Sequence, residues 1–147
     1  MRAVVTRVNS ASVEIDGRIS GRISKGFLVL LGVHEEDGEK EALKIADKIC
    51  GLRIFTDENG KMNLNPSDAG AELLIVSQFT LYADCKSRRP GFSRAAKPET
   101  AIPLYELVIE QCRSRGFKVE TGQFGAKMLV KSENNGPVTI ILDTKEL

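Results

Sequence analysis

The stretch Glu72-Leu73-Leu74-Ile75-Val76-Ser77-Gln78-Phe79-Thr80 sets the fold around it. Leu73 to Val76 is a continuous β-prone run with no polar alternation, the pattern of a strand buried on both faces. Ser77-Gln78-Phe79-Thr80 closes that strand with two hydroxyls, one side-chain amide and, where the ladder stops, unpaired backbone N–H groups. Donors of this kind at a strand end can stabilise an oxyanion. The same four residues also fit a Ser/Thr-rich strand end that bonds to its own backbone. A second stretch near the far terminus, Asn135-Gly136-Pro137-Val138-Thr139, shifts the balance towards function.

Upstream of this strand, Arg2 to Val8 and Ala11 to Ile15 read as two strands, and Asp16-Gly17 as a hairpin turn returning Arg18 to Ile23. Gly26 to Val33 is a further apolar strand with a central place in the sheet. Ala42, Ile45, Ala46 and Ile49 recur at i, i+3, i+4 and i+7, which predicts an amphipathic helix over Gly38 to Cys50 with Asp37 as N-cap and Gly51 as its stop. Leu52 to Phe55 reads as a short strand before the turn-rich Thr56 to Lys61, and Leu81-Tyr82-Ala83 as a continuation of the buried strand. Downstream, Glu99 to Arg115 predicts the second helix, with Leu104, Tyr105, Val108, Ile109 and Cys112 on one face and Pro103 confined to the first turn. Phe117 to Glu120, Lys127 to Lys131 and Pro137 to Leu142 complete the strands, the last entered from a turn at Asn134-Asn135-Gly136. These elements predict one α+β domain spanning residues 1–147, its mostly antiparallel sheet curled into a barrel-like core with two main helices.

At 147 residues and 41% hydrophobic content, one core suffices, burying about 68–70% of the unfolded chain's surface. Twenty-one Lys+Arg against 20 Asp+Glu give a net charge of +1, so any nucleic-acid contact must use a local patch. The longest apolar run, Gly26 to Val33, is too short to span a bilayer, and Met1-Arg2-Ala3 opens no secretory signal; the reading is a soluble cytoplasmic protein. Cys50, Cys85 and Cys112 are odd in number and widely spaced, which argues against a disulfide framework and a zinc site. His34, the one histidine, reads as a solvated loop residue in Val33-His34-Glu35-Glu36-Asp37. No metal and no cofactor are called for, and a Ser-His-Asp triad would have to use His34.

Lys86, Arg88, Arg89, Arg94 and Lys97 lie between Lys86 and Lys97 with no acid, one aromatic (Phe92) and a Pro90-Gly91 turn. Clustered cations on a loop can neutralise phosphates while Phe92 or a guanidinium plane stacks on an unpaired base; a plain solvated basic loop is the competing reading. The loop begins six residues after Thr80, which puts it near the rim of whatever pocket the quartet lines. In Gly136-Pro137 the ring fixes φ of Pro137, and Gly136 tolerates conformations closed to other residues; by itself such a pair before a strand is also an ordinary turn.

Together, Ser77-Gln78-Phe79-Thr80 and Gly136-Pro137-Val138-Thr139 resemble the two signature motifs of the D-aminoacyl-tRNA deacylases, also called D-tyrosyl-tRNA deacylases. The similarity extends from Met1-Arg2-Ala3-Val4-Val5-Thr6-Arg7-Val8 through Gly26 to Val33 and Arg88-Arg89-Pro90-Gly91-Phe92 to Val138–Asp143. The family's Asn-Asp-Gly-Pro stands here as Asn134-Asn135-Gly136-Pro137. The resemblance implies a homodimer of barrel-like subunits that hydrolyses the ester between a D-amino acid and the terminal adenosine of tRNA. It also implies a cis Gly136-Pro137 peptide that enters the partner subunit's site and excludes an L side chain, while glycyl-tRNA passes.

With no imidazole placed to activate it, Thr80 is a poor nucleophile at neutral pH. The ribose 2′-OH beside the ester can help to activate water instead. The Phe79 and Thr80 N–H groups with Gln78 are then the candidates for oxyanion stabilisation and adenosine positioning. Ser77 is a supporting residue, Phe124, Gly125 and Met128 are candidate pocket walls, and Lys86, Arg88, Arg89 and Arg94 are candidate tRNA contacts. Two other functions fit the residues: a module that binds RNA ends without chemistry, and a small-molecule esterase with Thr80 as nucleophile.

Overall fold

β1 (Arg2–Ile15) is the strand on which the sheet is built, because three others pair with it, all antiparallel. The computed structural model describes residues 1–147. Arg2 to Val8 pair with β3 (Gly26–Gly32), Ala11 to Ile15 with β2 (Arg18–Ile23), and β8 (Leu129–Asp143) runs along β1 from Arg2↔Asp143 to Glu14↔Leu129. The two strands expected over residues 2–15 are thus one. Asn9 and Ser10 do not break it, because β8 satisfies their side chains: Asn135 Nδ2 donates to Asn9 Oδ1 (2.8 Å) and Ser10 Oγ to Glu133 Oε1 (2.9 Å).

The other side of β3 carries two parallel neighbours in succession, β6 (Glu72–Ser77) and then β7 (Val119–Thr121). Parallel pairing needs crossovers, and α1 (Glu39–Gly51) and α2 (Pro98–Ser114) lie in those connections. This accounts for the unbroken apolar run in β6. Leu73 and Ile75 join the large core beneath the helices, with Ile45, Ile49, Val108 and Cys112, whereas Leu74 and Val76 face a smaller core with Val8, Val13 and Ile23. The sheet order β2-β1-β3-β6-β7 curls towards closure where β2 meets β7: Ser20 Oγ donates to the Thr121 carbonyl, and a Cβ on Gly21 would stand 2.7 Å from that oxygen. The result is the α+β, barrel-like architecture expected. No helix is long and apolar enough to cross a membrane.

Several local expectations give way to identifiable partners. Asp37 does not cap α1, because its carboxylate accepts from the Met1 ammonium (2.8 Å) and the His34 N–H (2.7 Å). Gly38 takes the N-cap position, and its N–H donates to Glu41 Oε2 at 2.8 Å. Gly51 is the last residue of α1, with Leu52 after it. Of the predicted Leu52–Phe55 strand only Phe55 lies in a paired strand, β4 (Phe55–Thr56), which pairs with β5 (Met62–Leu64) as a separate ribbon. Pro103 sits inside α2 beyond its first turn; it and Glu99, whose carbonyl it leaves without an i+4 helical donor, are both exposed, so the loss falls on the solvent-facing side of the helix. Cys50 and Cys112 are buried free thiols 3.6 Å apart between the helices.

Candidate active site

The β3–β6 ladder ends at Leu31↔Ser77, and a cavity of about 270 Å³ opens there. Leu31 and Val33 from the β3 end, Val76 and Ser77 from β6, Ala101 and Tyr105 from α2, and Phe124, Met128 and Val130 from the β7–β8 connection and early β8 wall it. Gln78 and Phe79 stand at its polar side. The Tyr105 hydroxyl donates to the Ile75 carbonyl at 2.7 Å, tying the α2 wall to the floor strand. The cavity brings together Ser77, Gln78, Phe79, Phe124, Gly125 and Met128 of the candidates read from sequence.

After Gln78 the chain does not continue as a strand. Phe79–Tyr82 forms one 3-10 turn, because Gln78 N–H makes the last bond to β3, to the Leu31 carbonyl (2.8 Å), and the backbone then folds on itself. The first bond of the turn runs from Leu81 N–H to the Gln78 carbonyl, so the Phe79 and Thr80 N–H groups have no partner within it. Thr80 lies on the exposed face of the turn, outside the cavity lining, and its Oγ1 accepts from Gln78 Nε2 at 2.5 Å. Arg2 clamps the turn from β1: Nη1 donates to the Leu81 carbonyl (2.8 Å), Nε and Nη2 to Asp143 Oδ2 (3.0 and 2.9 Å), and the guanidinium lies 4.8 Å from the Tyr82 ring centre. Burial is the largest influence on the Asp143 carboxyl and raises its pKa. The Lys145 N–H, the Arg2 hydrogen bond and the neighbouring positive charges outweigh it, leaving the group below its ordinary value.

The cavity holds no group that could act as a base at neutral pH. Tyr105 is its one titratable lining residue, and burial pushes that phenol up to about 12. His34 is not the solvated residue predicted: it is buried, accepts from the Glu36 N–H at Nδ1 (3.1 Å) and packs edge-on against Tyr82, 5.0 Å between ring centres. The Arg94–Ala96 segment covers it through Glu35 N–H to the Arg94 carbonyl and Ala96 N–H to the Val33 carbonyl. Its imidazole does not line the cavity.

Gly136 and Pro137 do not line it either. Asn134-Asn135-Gly136 is not a turn between strands but part of β8, where the register jumps from Thr6↔Thr139 to Val8↔Asn134. Residues 135, 136, 137 and 138 therefore face Arg7 alone and bulge from a strand that pairs only with β1. The Gly136–Pro137 peptide is cis, Gly136 has φ +122°, and both residues are exposed. Arg7 braces the bulge, with Nε donating to the Asn135 carbonyl (3.1 Å) and Nη1 to the Ile54 carbonyl (2.8 Å). Lys86, Arg88, Arg89 and Arg94 also lie outside the cavity; Arg94 Nη2 donates to the Ala83 carbonyl, while the other three project from an exposed loop.

The family model for D-Tyr-tRNA(Tyr) deacylase matches residues 4–143, which include the cavity, the turn and the bulge. The chain belongs to the D-Tyr-tRNA(Tyr) deacylase family. Membership makes it a hydrolase acting on the aminoacyl-tRNA ester. It is 53% identical over 148 residues to the D-aminoacyl-tRNA deacylase of Thermosipho africanus, covering 100% of this chain and 99% of that one. It is 56% identical over 147 residues to that of Koribacter versatilis, covering 99% of each. Among solved structures it is similar to the c-Myc DNA unwinding element binding protein, with a TM-score of 0.92 and 41% identity over 97% of this chain and 98% of the other. A probable eukaryotic D-amino acid tRNA deacylase shares the fold, with a TM-score of 0.84 at 15% identity over 96% of this chain and 97% of the other.

In this deacylase-family chain three residues that shape the site were not picked out by motif. Arg2 and Arg7 are the two cations of β1, set among Ala3, Val4, Val5 and Val8, and that placement is the signal that marks them. Tyr105 falls among the apolar-face positions of α2; a phenol there needs a partner, here the Ile75 carbonyl.

Proposed function

We propose that the protein releases D-amino acids from D-aminoacyl-tRNA, and glycine from glycyl-tRNA, as a chiral proofreading step in translation. The observation that carries this reading is an apolar chamber with no base in its lining, bordered at Gln78 and Phe79 by a turn whose Phe79 and Thr80 N–H groups have no partner within it. At about 270 Å³ it is just below the usual range of ligand pockets, room for one terminal nucleoside and not for an RNA helix. The terminal adenosine enters between Phe124, Gly125, Met128 and the Ser77–Gln78 edge. The ester carbonyl then faces the Phe79 and Thr80 N–H groups, which with Gln78 receive the developing oxyanion. The ribose 2′-OH of the substrate assists the attacking water, and the Thr80 hydroxyl holds Gln78 in place.

Chirality is set by exclusion. The protein acts as a homodimer, and the Gly136–Pro137 bulge of one protomer closes the mouth of its partner's cavity. Exposure of the bulge, and its absence from its own chain's cavity, support this arrangement. Its main-chain carbonyls leave no room for an L side chain, whereas a D side chain points to solvent and glycine has nothing to reject. Lys86, Arg88, Arg89 and Arg94 meet the phosphates of the tRNA end.

The test is amino-acid release from D-aminoacyl-tRNA at catalytic amounts of protein, beside retention of the same RNA on the protein and hydrolysis of small D-amino acid esters. Multiple turnovers confined to the tRNA ester are expected. RNA retention without release would replace this reading with a binding module, and equal turnover of small esters with a general esterase.

A further inference from the structure

Phe79 lines the cavity mouth and yet is 53% exposed, and Phe92, 36% exposed, packs edge-to-face against it with ring centres 5.1 Å apart and planes at 75°. Phe92 is not part of the cavity lining, so the pair continues the apolar surface from the mouth outward. Two large rings kept in water beside a site are costly in solubility and are explained by something that covers them.

Their setting is preorganised and cationic. Asp84 and Gly91 exchange backbone hydrogen bonds (2.7 and 2.9 Å), Asp84 Oδ1 accepts from Lys86 N–H (3.0 Å), Ser87 Oγ donates to the Arg89 carbonyl (2.7 Å), and Ala95 N–H closes a turn on the Phe92 carbonyl (3.1 Å). The loop is therefore held in one shape by its own bonds, and the Asp84 carboxylate is used inside it. Lys86, Arg88 and Arg89 are exposed and none is in an ion pair. Rigid aromatic area flanked by unpaired cations is complementary to a single nucleic-acid strand, whose bases each offer a π face and whose phosphates need neutralising.

We propose that Phe79 and Phe92 form a stacking platform for the unpaired nucleotide that precedes the terminal adenosine, with Lys86, Arg88 and Arg89 on its phosphates. This rests on the reading of the cavity as the terminal-nucleoside pocket. It adds a second recognition point, used only by a substrate longer than one nucleoside.

The experiment compares Phe92→Ala, Phe92→Trp and the unmodified protein on D-aminoacyl-tRNA and on D-aminoacyl-adenosine, which ends before the platform. Phe92→Ala is expected to raise KM for the tRNA about tenfold more than KM for the nucleoside ester, and Phe92→Trp to restore it. An equal rise for both esters would place Phe92 behind the pocket wall and overturn the platform. So would no change for either, or a change in dimer dissociation measured by sedimentation. An unmodified protein that turns over neither ester would remove the functional reading together with the platform, which separates the two failures.

Discussion

Arg7 holds Gly136 from the opposite strand. Its Nε bonds to the carbonyl just before the glycine, its Nη1 reaches the Ile54 carbonyl, and a Cβ on Gly136 would stand 2.9 Å from Nη2. At φ +122° that position already favours glycine, and a side chain there would also push against the guanidinium and Val138. Arg7→Ala removes two charge-assisted bonds to main-chain acceptors, one of them the carbonyl of buried Ile54. The expected loss is roughly 1–3 kcal/mol of unfolding free energy, read by chemical denaturation. The D-over-L rate ratio is expected to fall as well, since the bulge loses its brace.

Thr80 lies outside the cavity lining, its hydroxyl engaged with Gln78. Thr80→Ala is therefore expected to retain activity within about tenfold, whereas a tRNA ending in 2′-deoxyadenosine should react at least about 100-fold more slowly, the low end of what positioned proton transfer contributes. Single-turnover rates on the four enzyme and substrate combinations check this. The reverse pattern would make Thr80 the nucleophile.

Tyr105 joins α2 to β6 through one buried bond. Tyr105→Phe keeps the ring and leaves the Ile75 carbonyl without this donor, at an expected cost of about 1–3 kcal/mol in unfolding free energy. Thermal and denaturant unfolding should agree on its sign.

Asp143 pairs with Arg2, and its folded-state pKa is depressed. A depressed carboxylate contributes stability above its unfolded pKa of about 3.9 and loses that contribution as pH falls through the lower folded value. The stability difference between the unmodified protein and Asp143→Asn should be flat from neutral pH to about pH 5, then shrink as pH falls below about 4. Denaturant titrations across that range measure it.

Much of the sheet was legible because its burial follows simple periods. The unbroken run Leu73–Val76 announced a strand covered on both faces, and the spacing of Ala42, Ile45, Ala46 and Ile49 announced α1. What misled were polar residues whose partners lie far along the chain. Asn9, Ser10 and Asn134 look like breaks, yet β1 and β8 run through them because each strand supplies partners to the other. Asp37 and His34 look like helix-cap and solvent residues; the Met1 ammonium and the Arg94–Ala96 segment, distant in sequence, engage one and bury the other. Leu81–Ala83 reads as more strand, but the ladder with β3 has ended by Ser77.

The site was legible in its inventory and not in its geometry. Ser77, Gln78, Phe79, Phe124, Gly125 and Met128 meet at one cavity, although nothing in their spacing says that the β7–β8 connection folds back over the end of β6. The two motifs do not meet within one chain, because the register jump opposite Arg7 turns Gly136–Pro137 outward.

The most direct measurement follows three esters of one tRNA, carrying D-alanine, glycine and L-alanine, at the same catalytic concentration of protein. Release of D-alanine and glycine while the L-alanyl ester persists is the predicted result. Hydrolysis of the L-alanyl ester at a rate comparable with the D-alanyl ester would contradict a site that rejects the L side chain with rigid main-chain atoms.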